Sequence, residues 1–245
     1  MLLQTDDEFR QLANRHKDLG YAFATVGNAT NFRREELLLD FTYVIQKGEM
    51  ARFGRIEITG NDGTRDWTIR RELRIYEGDL YNETKLRDSE ARIRRLGFFE
   101  KVEIRPKPAQ APDEVDVVVE VKERQTGAFS VGAGFSSVEN FLFQAQISKQ
   151  NFLGRGQNLR LEATLSSLRR YFVLSSDDPY FLDTDWTCEF SAFNTDLANY
   201  NFSQSSTGMD TALGRWFLDW FSVAATYRLE GVDVRAGGQE GVGVR

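Results

Sequence analysis

From Gly127 onward apolar and polar positions alternate along the chain. In Gly127–Ser136, Phe129, Val131, Ala133 and Phe135 share one face, and Ser130, Gly132, Gly134 and Ser136 share the other. Asn140–Lys149 sets Phe141, Phe143, Ala145 and Ile147 against Gln144, Gln146 and Ser148. Gln157–Ser166 sets Leu159, Leu161, Ala163 and Leu165 against Arg160, Glu162, Thr164 and Ser166. Side chains of a strand repeat with a period of two, so each segment is a ribbon with one apolar and one hydrophilic face. A sustained series of such ribbons, with Arg and Glu on the polar face, predicts a wall between lipid and water, about seven strands long by residue 230.

The connections sharpen this expectation. Every second one carries an aromatic–aliphatic cluster: Phe152 and Leu153 in Asn151–Gly154, Tyr180 and Phe181 in Pro179–Leu182, Trp216 and Phe217 in Arg215–Trp220. The intervening ones, Ser137–Glu139, Ser166–Arg170 and a long Asn194–Ser206, are polar. Antiparallel strands put alternate turns at opposite ends of a sheet. One end is therefore expected to be short and aromatic, as an interfacial belt is, and the other hydrophilic.

Upstream, the periodicity is mixed. Asp6–Asp18 has Phe9, Leu12 and Ala13 on one helical face and Gly20 as a stop, and two strand-like runs follow, Tyr21–Asn28 and Leu37–Gln46. Phe53–Thr59 reads as a strand closed by Gly60–Gly63. Asp66 is placed to cap a short helix through Leu73. Asn82 is placed to cap a longer one to Leu96, with Leu86, Ile93 and Leu96 buried and Gly97 ending it. Phe98–Arg105 and Val115–Lys122 read as strands around a proline-bearing loop, Pro106–Pro112. Leu19-Gly20-Tyr21 and Leu96-Gly97-Phe98 end two helices 77 residues apart (96 − 19), and two strands follow each. Residues 1–50 thus read as the C-terminal part of a module whose complete copy, β-α-α-β-β, is 51–124, with a barrel portion from 125 to 245.

Composition narrows the function classes. The net charge of −6 provides no electrostatic footprint for nucleic acid. No run of 18 apolar residues exists for a membrane helix, but alternating barrel strands average out to polar and escape that test. Met1-Leu2-Leu3 runs directly into Gln4-Thr5-Asp6-Asp7 without a secretory signal, and the glycine-rich stretch from Gly237 has no closing strand, so the chain is expected to be a fragment. The one cysteine, Cys188, is expected to be a small hydrophobe on an apolar strand face.

No catalytic constellation, Walker A run or zinc spacing is present; the one histidine, His16, is expected to be a solvated helix residue. Gly132-x-Gly134 lies inside a strand and is no nucleotide loop. The expectation is a non-enzyme without cofactor or metal, whose chemistry is that of the backbone: a sheet edge offers N–H and C=O groups to a guest strand of any sequence.

Leu96–Glu100, Val115–Val121 and Lys122–Phe129, followed by Asn151–Gly156 and Asp178–Phe181, resemble the BamA family of bacterial outer-membrane-protein assembly factors. The resemblance runs over essentially the whole chain. It implies that 51–124 is a periplasmic POTRA (polypeptide-transport-associated) module and that an antiparallel transmembrane β-barrel of roughly sixteen strands begins at 127. It also implies partners: outer-membrane lipid, unfolded β-barrel clients and accessory lipoproteins. Two edges become candidate client sites. One is the POTRA middle strand, with Phe99, Lys101, Val102, Glu103, Ile104 and Arg105. The other is the first barrel strand, with Gly127, Phe129, Val131, Gly132, Ala133, Gly134 and Phe135, whose glycines would weaken a seam that opens laterally. Glu77, in Tyr76-Glu77-Gly78, reads either as a solvated turn glutamate or, by the resemblance, as the acidic residue that the family carries at an accessory-lipoprotein contact. Arg70, Arg71, Arg74, Arg92, Arg94 and Arg95 make the helices basic, as a solvated face or for an acidic partner. Earlier POTRA modules, most of the barrel and the Arg-Gly motif of the inner loop do not occur in the sequence. Alternatives are an autotransporter-assembly paralogue, a two-partner secretion translocator, or, in another class, a soluble β-barrel that binds a ligand with its Phe/Leu faces turned inward.

Overall fold

A computed structural model describes residues 11–33, 38–199, 201–218 and 220–236. The chain divides into two compact units, Met1–Arg124 and Gln125–Arg245.

In the first unit a helix, α1 (residues 11–17), precedes an antiparallel hairpin of β1 (Thr25–Arg33) and β2 (Leu38–Gln46). Phe9, expected on the helix's apolar face, lies outside the described residues. The first strand starts at Thr25 and not at Tyr21. Gly20 turns at φ +103°, and the Ala22 and Ala24 amides bond to the Gly20 and Tyr21 carbonyls, so the intervening residues form tight turns. His16 Nδ1 lies 2.9 Å from the Leu12 carbonyl, one turn back.

Residues 52–123 then run β3 (Arg52–Thr59), α2 (Asp66–Arg70), α3 (Glu83–Arg95), β4 (Phe99–Pro108) and β5 (Glu114–Glu123). The sheet order is β3-β5-β4, with β5 central, parallel to β3 and antiparallel to β4. Val115, Val117 and Val119 are fully buried, and with Phe53, Ile69, Tyr81 and Ile93 they make one core between sheet and helices. The alternating valines dictate this arrangement, since one face of the central strand must be covered.

Local capping explains α3. Asn82 is extended (φ −148°) and its side chain accepts from the Lys85 amide at 2.8 Å, while Arg92, Arg94 and Arg95 crowd the C-terminal turn where cations suit the dipole. Gly97 then leaves at φ +75°. In α2 the expectation fails. Arg65 occupies the N-cap without a side-chain bond, and Asp66 is the first helical residue, bonded to Arg70 at 3.0 Å. The helix ends at Arg70, three residues short of Leu73, because the Glu72 and Leu73 amides bond three residues back in a tightened turn. β4 also runs past Pro106, which was expected to end it, to Pro108. Proline is tolerated on an edge strand where its nitrogen faces away from the partner.

The second unit is a seven-stranded antiparallel meander: β6 (Gly127–Ser136), β7 (Asn140–Phe152), β8 (Gln157–Ser166), β9 (Arg169–Asp178), β10 (Trp186–Ala198), β11 (Phe202–Leu218) and β12 (Phe221–Ala236), each pairing with its sequence neighbour. The expected long loop at Asn194–Ser206 is instead paired strand, in register from Asn194↔Thr207 to Ala198↔Ser203. Asn194 donates to Thr207 at 2.8 Å and Ser205 to Asp196 at 2.6 Å, so polar side chains zip a hairpin that the apolar pattern does not reveal. The third aromatic cluster likewise belongs largely to strand, with Trp216 and Phe217 in β11. The stretch from Gly237 lies outside the described residues.

Candidate functional site

The apolar face of the meander is exposed. Phe129, Phe135 and Phe141 are 69, 72 and 78 % accessible, and Val131, Ile147, Leu161, Leu174, Val223 and Leu229 are exposed with them. A soluble ligand-binding barrel needs these side chains enclosed, and they are not.

The register shows what covers such a face. Phe129 of β6 connects, partner by partner, through Ile147, Leu161, Leu174, Ala192 and Met209 to Leu229 of β12. On β6 the apolar face extends from that row away from the aromatic turns, to Phe135. On β12 it extends from that row toward them, to Phe221. Across six strand-to-strand steps the lower boundary of the band therefore slides by eight residues (229 − 221). At ~3.3 Å per residue and ~4.8 Å between strands, that is roughly 26 Å of slide over roughly 29 Å, a tilt of about 42°. The upper boundary slides by six residues, from the row of Phe135 to that of Phe129 (135 − 129), which gives about 35°. Membrane barrel strands tilt by roughly 35–45°. A band level with the membrane plane must cross tilted strands obliquely, and this one does.

The aromatic clusters sit at one end of the meander. Phe152 and Leu153 lie at the β7–β8 turn, Tyr180 and Phe181 between β9 and β10, and Trp216 and Phe217 at the end of β11. All but Tyr180 are exposed. Arg215 lies over Trp186 and Phe217, 5.9 and 5.7 Å from their ring centres. The opposite face is polar and cross-linked: Arg228 grips both oxygens of Asp210 at 2.6 and 3.1 Å, and Ser206 donates to Glu230 at 2.9 Å. Apolar side chains also occur on that face, among them Leu142, Val173, Phe193, Val232 and Val234. Phe193 lies across its partner Gly208, where a Cβ would come within 2.6 Å of the ring. The aromatic opposite glycine was a readable signal for this pair, but only once the register was known.

β6 is one edge of the meander. The Gln150 amide donates to the Thr126 carbonyl at 3.1 Å, which fixes the parity: even-numbered residues of β6 bond to β7, and odd-numbered ones turn their N–H and C=O outward. Phe129, Val131, Ala133 and Phe135 therefore carry the backbone groups that face away from β7, with Gly127 at the start of the edge. A Cβ on Gly132 or Gly134 would meet nothing within 4 Å, so the neighbouring polar face is bare backbone.

β4 is an edge of the other sheet. The Ala109 amide bonds to Glu114 of the β5 strand, so odd residues face β5 and Val102, Ile104 and Pro106 face outward. Phe99, Val102 and Ile104 are buried in the core, while Lys101 and Arg105 lie on the open face beside half-buried Glu103. Lys101, at 2.7 Å, and then Arg105 hold the Glu103 carboxyl below the usual carboxylate range. Glu77 is exposed, with one carboxylate oxygen accepting from the Ile56 amide at 3.0 Å. Arg71 stacks on Trp67, Arg92 pairs with buried Glu72 at 3.0 Å and Arg94 pairs with Glu90, so much of the expected basic face is engaged within the module. Cys188 is half-buried. Among the described residues no group of three or more His, Cys, Asp or Glu is placed to hold a metal ion.

An exposed apolar band on tilted strands behind a small β-α-α-β-β module defines a class, and family comparison agrees with it. Residues 51–124 match the POTRA family model, described as a surface antigen variable number repeat, and residues 151–241 match the Omp85 superfamily domain. The chain therefore carries a POTRA match followed by a match to the Omp85 superfamily domain. It is similar to the outer membrane protein assembly factor BamA. It is 34 % identical to that of Nitratidesulfovibrio vulgaris over 94 % of this chain and 29 % of the relative. It is also 34 % identical to that of Neisseria meningitidis, over 70 % of this chain and 22 % of the relative. The crystal structure of BamA from Haemophilus ducreyi lacking POTRA domains 1–3 superposes with a TM-score of 0.84 at 26 % identity, over 95 % of this chain and 45 % of that one. The chain thus spans under a third of the length of these curated relatives.

Proposed function

We propose that this chain is the POTRA–barrel junction of an outer-membrane protein assembly factor, with residues 1–50 the C-terminal part of one POTRA module, 51–124 a complete one and 125–245 the first part of the barrel. The barrel part sits in the outer membrane against lipid, and the POTRA part in the periplasm. Its substrates are unfolded β-barrel proteins, and its work is non-covalent: an edge strand pairs with a client strand and so supplies the hydrogen bonds that hydrocarbon does not. The β4 edge receives extended client segments before the β6 edge does. Glu77 contributes to contact with an accessory lipoprotein, its second carboxylate oxygen available to a partner cation.

The observation that carries this reading is the parity of β6, whose donors and acceptors facing away from β7 lie on the residues that also form the lipid face. Proline at Val131 or Ala133 removes an outward donor and leaves the β6–β7 ladder intact, whereas proline at Gly132 removes a ladder bond. In the full-length protein, Ala133→Pro is expected to reduce client insertion into liposomes at least tenfold without loss of the folded barrel. Normal insertion by that variant removes β6 as the template.

A further inference from the structure

The two edges of the POTRA sheet are not equivalent. A bulge at Gly54–Arg55 places Phe53 and Ile56, three residues apart, on the same outer side of β3. The bulge is held by Asp116, which accepts from the Arg55 amide at 2.8 Å and lies where a Cβ on Gly54 would come within 2.5 Å. All four outward backbone groups of Phe53 and Ile56 are then met by the module itself. The Phe53 amide donates to the Asp79 carbonyl at 2.8 Å, and its carbonyl accepts from the Gly78 amide at 2.7 Å. The Ile56 amide donates to the Glu77 carboxylate at 3.0 Å, and its carbonyl accepts from the Arg70 guanidinium at 3.2 Å. Arg52 ties the same strap by donating to the Gly78 carbonyl at 2.8 Å. On β4 the outward side carries one such bond, from Arg94 to the Val102 carbonyl at 3.3 Å, among the hydrogen bonds of the described residues.

Where donors and acceptors are saturated, as at Phe53 and Ile56, an edge cannot accept a guest strand without first giving up its own bonds. Ile58, the next outward residue, has no such bond among the hydrogen bonds of the described residues. The half of the closure at Phe53 is backbone; the half at Ile56 depends on two side chains. We infer that Glu77 and Arg70 are positioning residues that close the β3 edge at Ile56, so that an extended client segment pairs with β4 in preference to β3. This rests on the strand-pairing reading of the POTRA module proposed above.

The test uses the full-length protein in detergent micelles, an extended peptide of alternating Phe and Ser as probe, and photo-crosslinkers at Glu57 on β3 and Arg105 on β4. Amide exchange of Ile56 reports the lock without any client, and unchanged exchange at Val119 in the central strand marks an intact fold. Glu77→Ala is expected to speed Ile56 exchange at least tenfold and to raise crosslinking at position 57 at least fivefold. Glu77→Gln keeps an acceptor oxygen and is expected to restore both. Unchanged Ile56 exchange in Glu77→Ala, or faster exchange with no crosslinking at position 57, overturns the inference. Absence of crosslinking at position 105 in the unsubstituted protein overturns the strand-pairing reading instead, and Ile56 exchange then still decides whether the edge is locked by Glu77.

Discussion

Tyr81 shows how one residue ties the POTRA core to its helix. Its ring is fully buried 5.1 Å from that of Phe53, and its hydroxyl donates to Glu83 at 2.7 Å in the first turn of α3. Burial first, and the Glu83 bond second, push its phenol far above the ordinary value near 10. A raised folded-state value means the stabilisation is complete below the ordinary tyrosine pKa and is lost as pH rises beyond it, at about 1.4 kcal/mol per pH unit. Tyr81→Phe is expected to lower stability near neutral pH by about 1.5–3 kcal/mol for the lost hydrogen bond to a charged group. It should also make the alkaline decline shallower by about that slope, read from denaturation midpoints between pH 9 and 11. An equal slope in both proteins would place the alkaline sensitivity elsewhere. Nothing in the sequence marked Tyr81 for this role, since its burial is created by β3 and α3 together.

At the scale of the element, legibility depended on whether the signal was local. α3 was readable because its cap, stripe and stop are all short-range: Asn82, then Leu86 and Ile93, then Gly97. Asn82→Ala is expected to cost about 1 kcal/mol in thermal or chemical denaturation. The structure adds a long-range share to that cap, because the Asp18 carboxylate also receives the Thr84 amide and hydroxyl, each at 2.8 Å. The start of α2 is not legible, for the converse reason. An aspartate before an apolar pair resembles a cap, but Asp66 is drawn into the helix by Arg70, whose guanidinium also reaches the Ile56 carbonyl. The β10–β11 hairpin reads as a loop in the sequence because its upper half is largely polar, and only cross-strand partners such as Asn194 with Thr207 give it a register.

For the whole molecule, the oblique course of the apolar band has a mechanical consequence. Residues in one hydrogen-bonded row lie at different depths, so substitution cost should follow the band and not the row. Leu161 lies within the band on β8, while Asp233 on β12, four residues beyond Leu229, lies above it. Leu161→Arg is expected to destabilise the folded full-length barrel in lipid by about 2–4 kcal/mol, and Asp233→Arg by no more than about 1 kcal/mol. Equal costs, measured by urea titration in liposomes, would mean that the band is not level with the membrane.

Alternation alone determined that residues 127–236 form two-faced strands, that alternate turns differ in character and that a mixed module precedes them, because a period of two or 3.6 and a capping residue act over a few positions. Register, and everything that depends on it, was decided only in three dimensions. The sequence names Phe129 and Leu229 as apolar, but only pairing through five intervening strands sets them in one row and turns two apolar runs into a tilted band. It likewise names Glu77 as a turn glutamate, and only the bulge in β3 brings the Ile56 amide to meet it. Periodicity is a property of neighbours along the chain. Which backbone groups stay unpaired, and so which edge can take a guest strand, depends on neighbours across space.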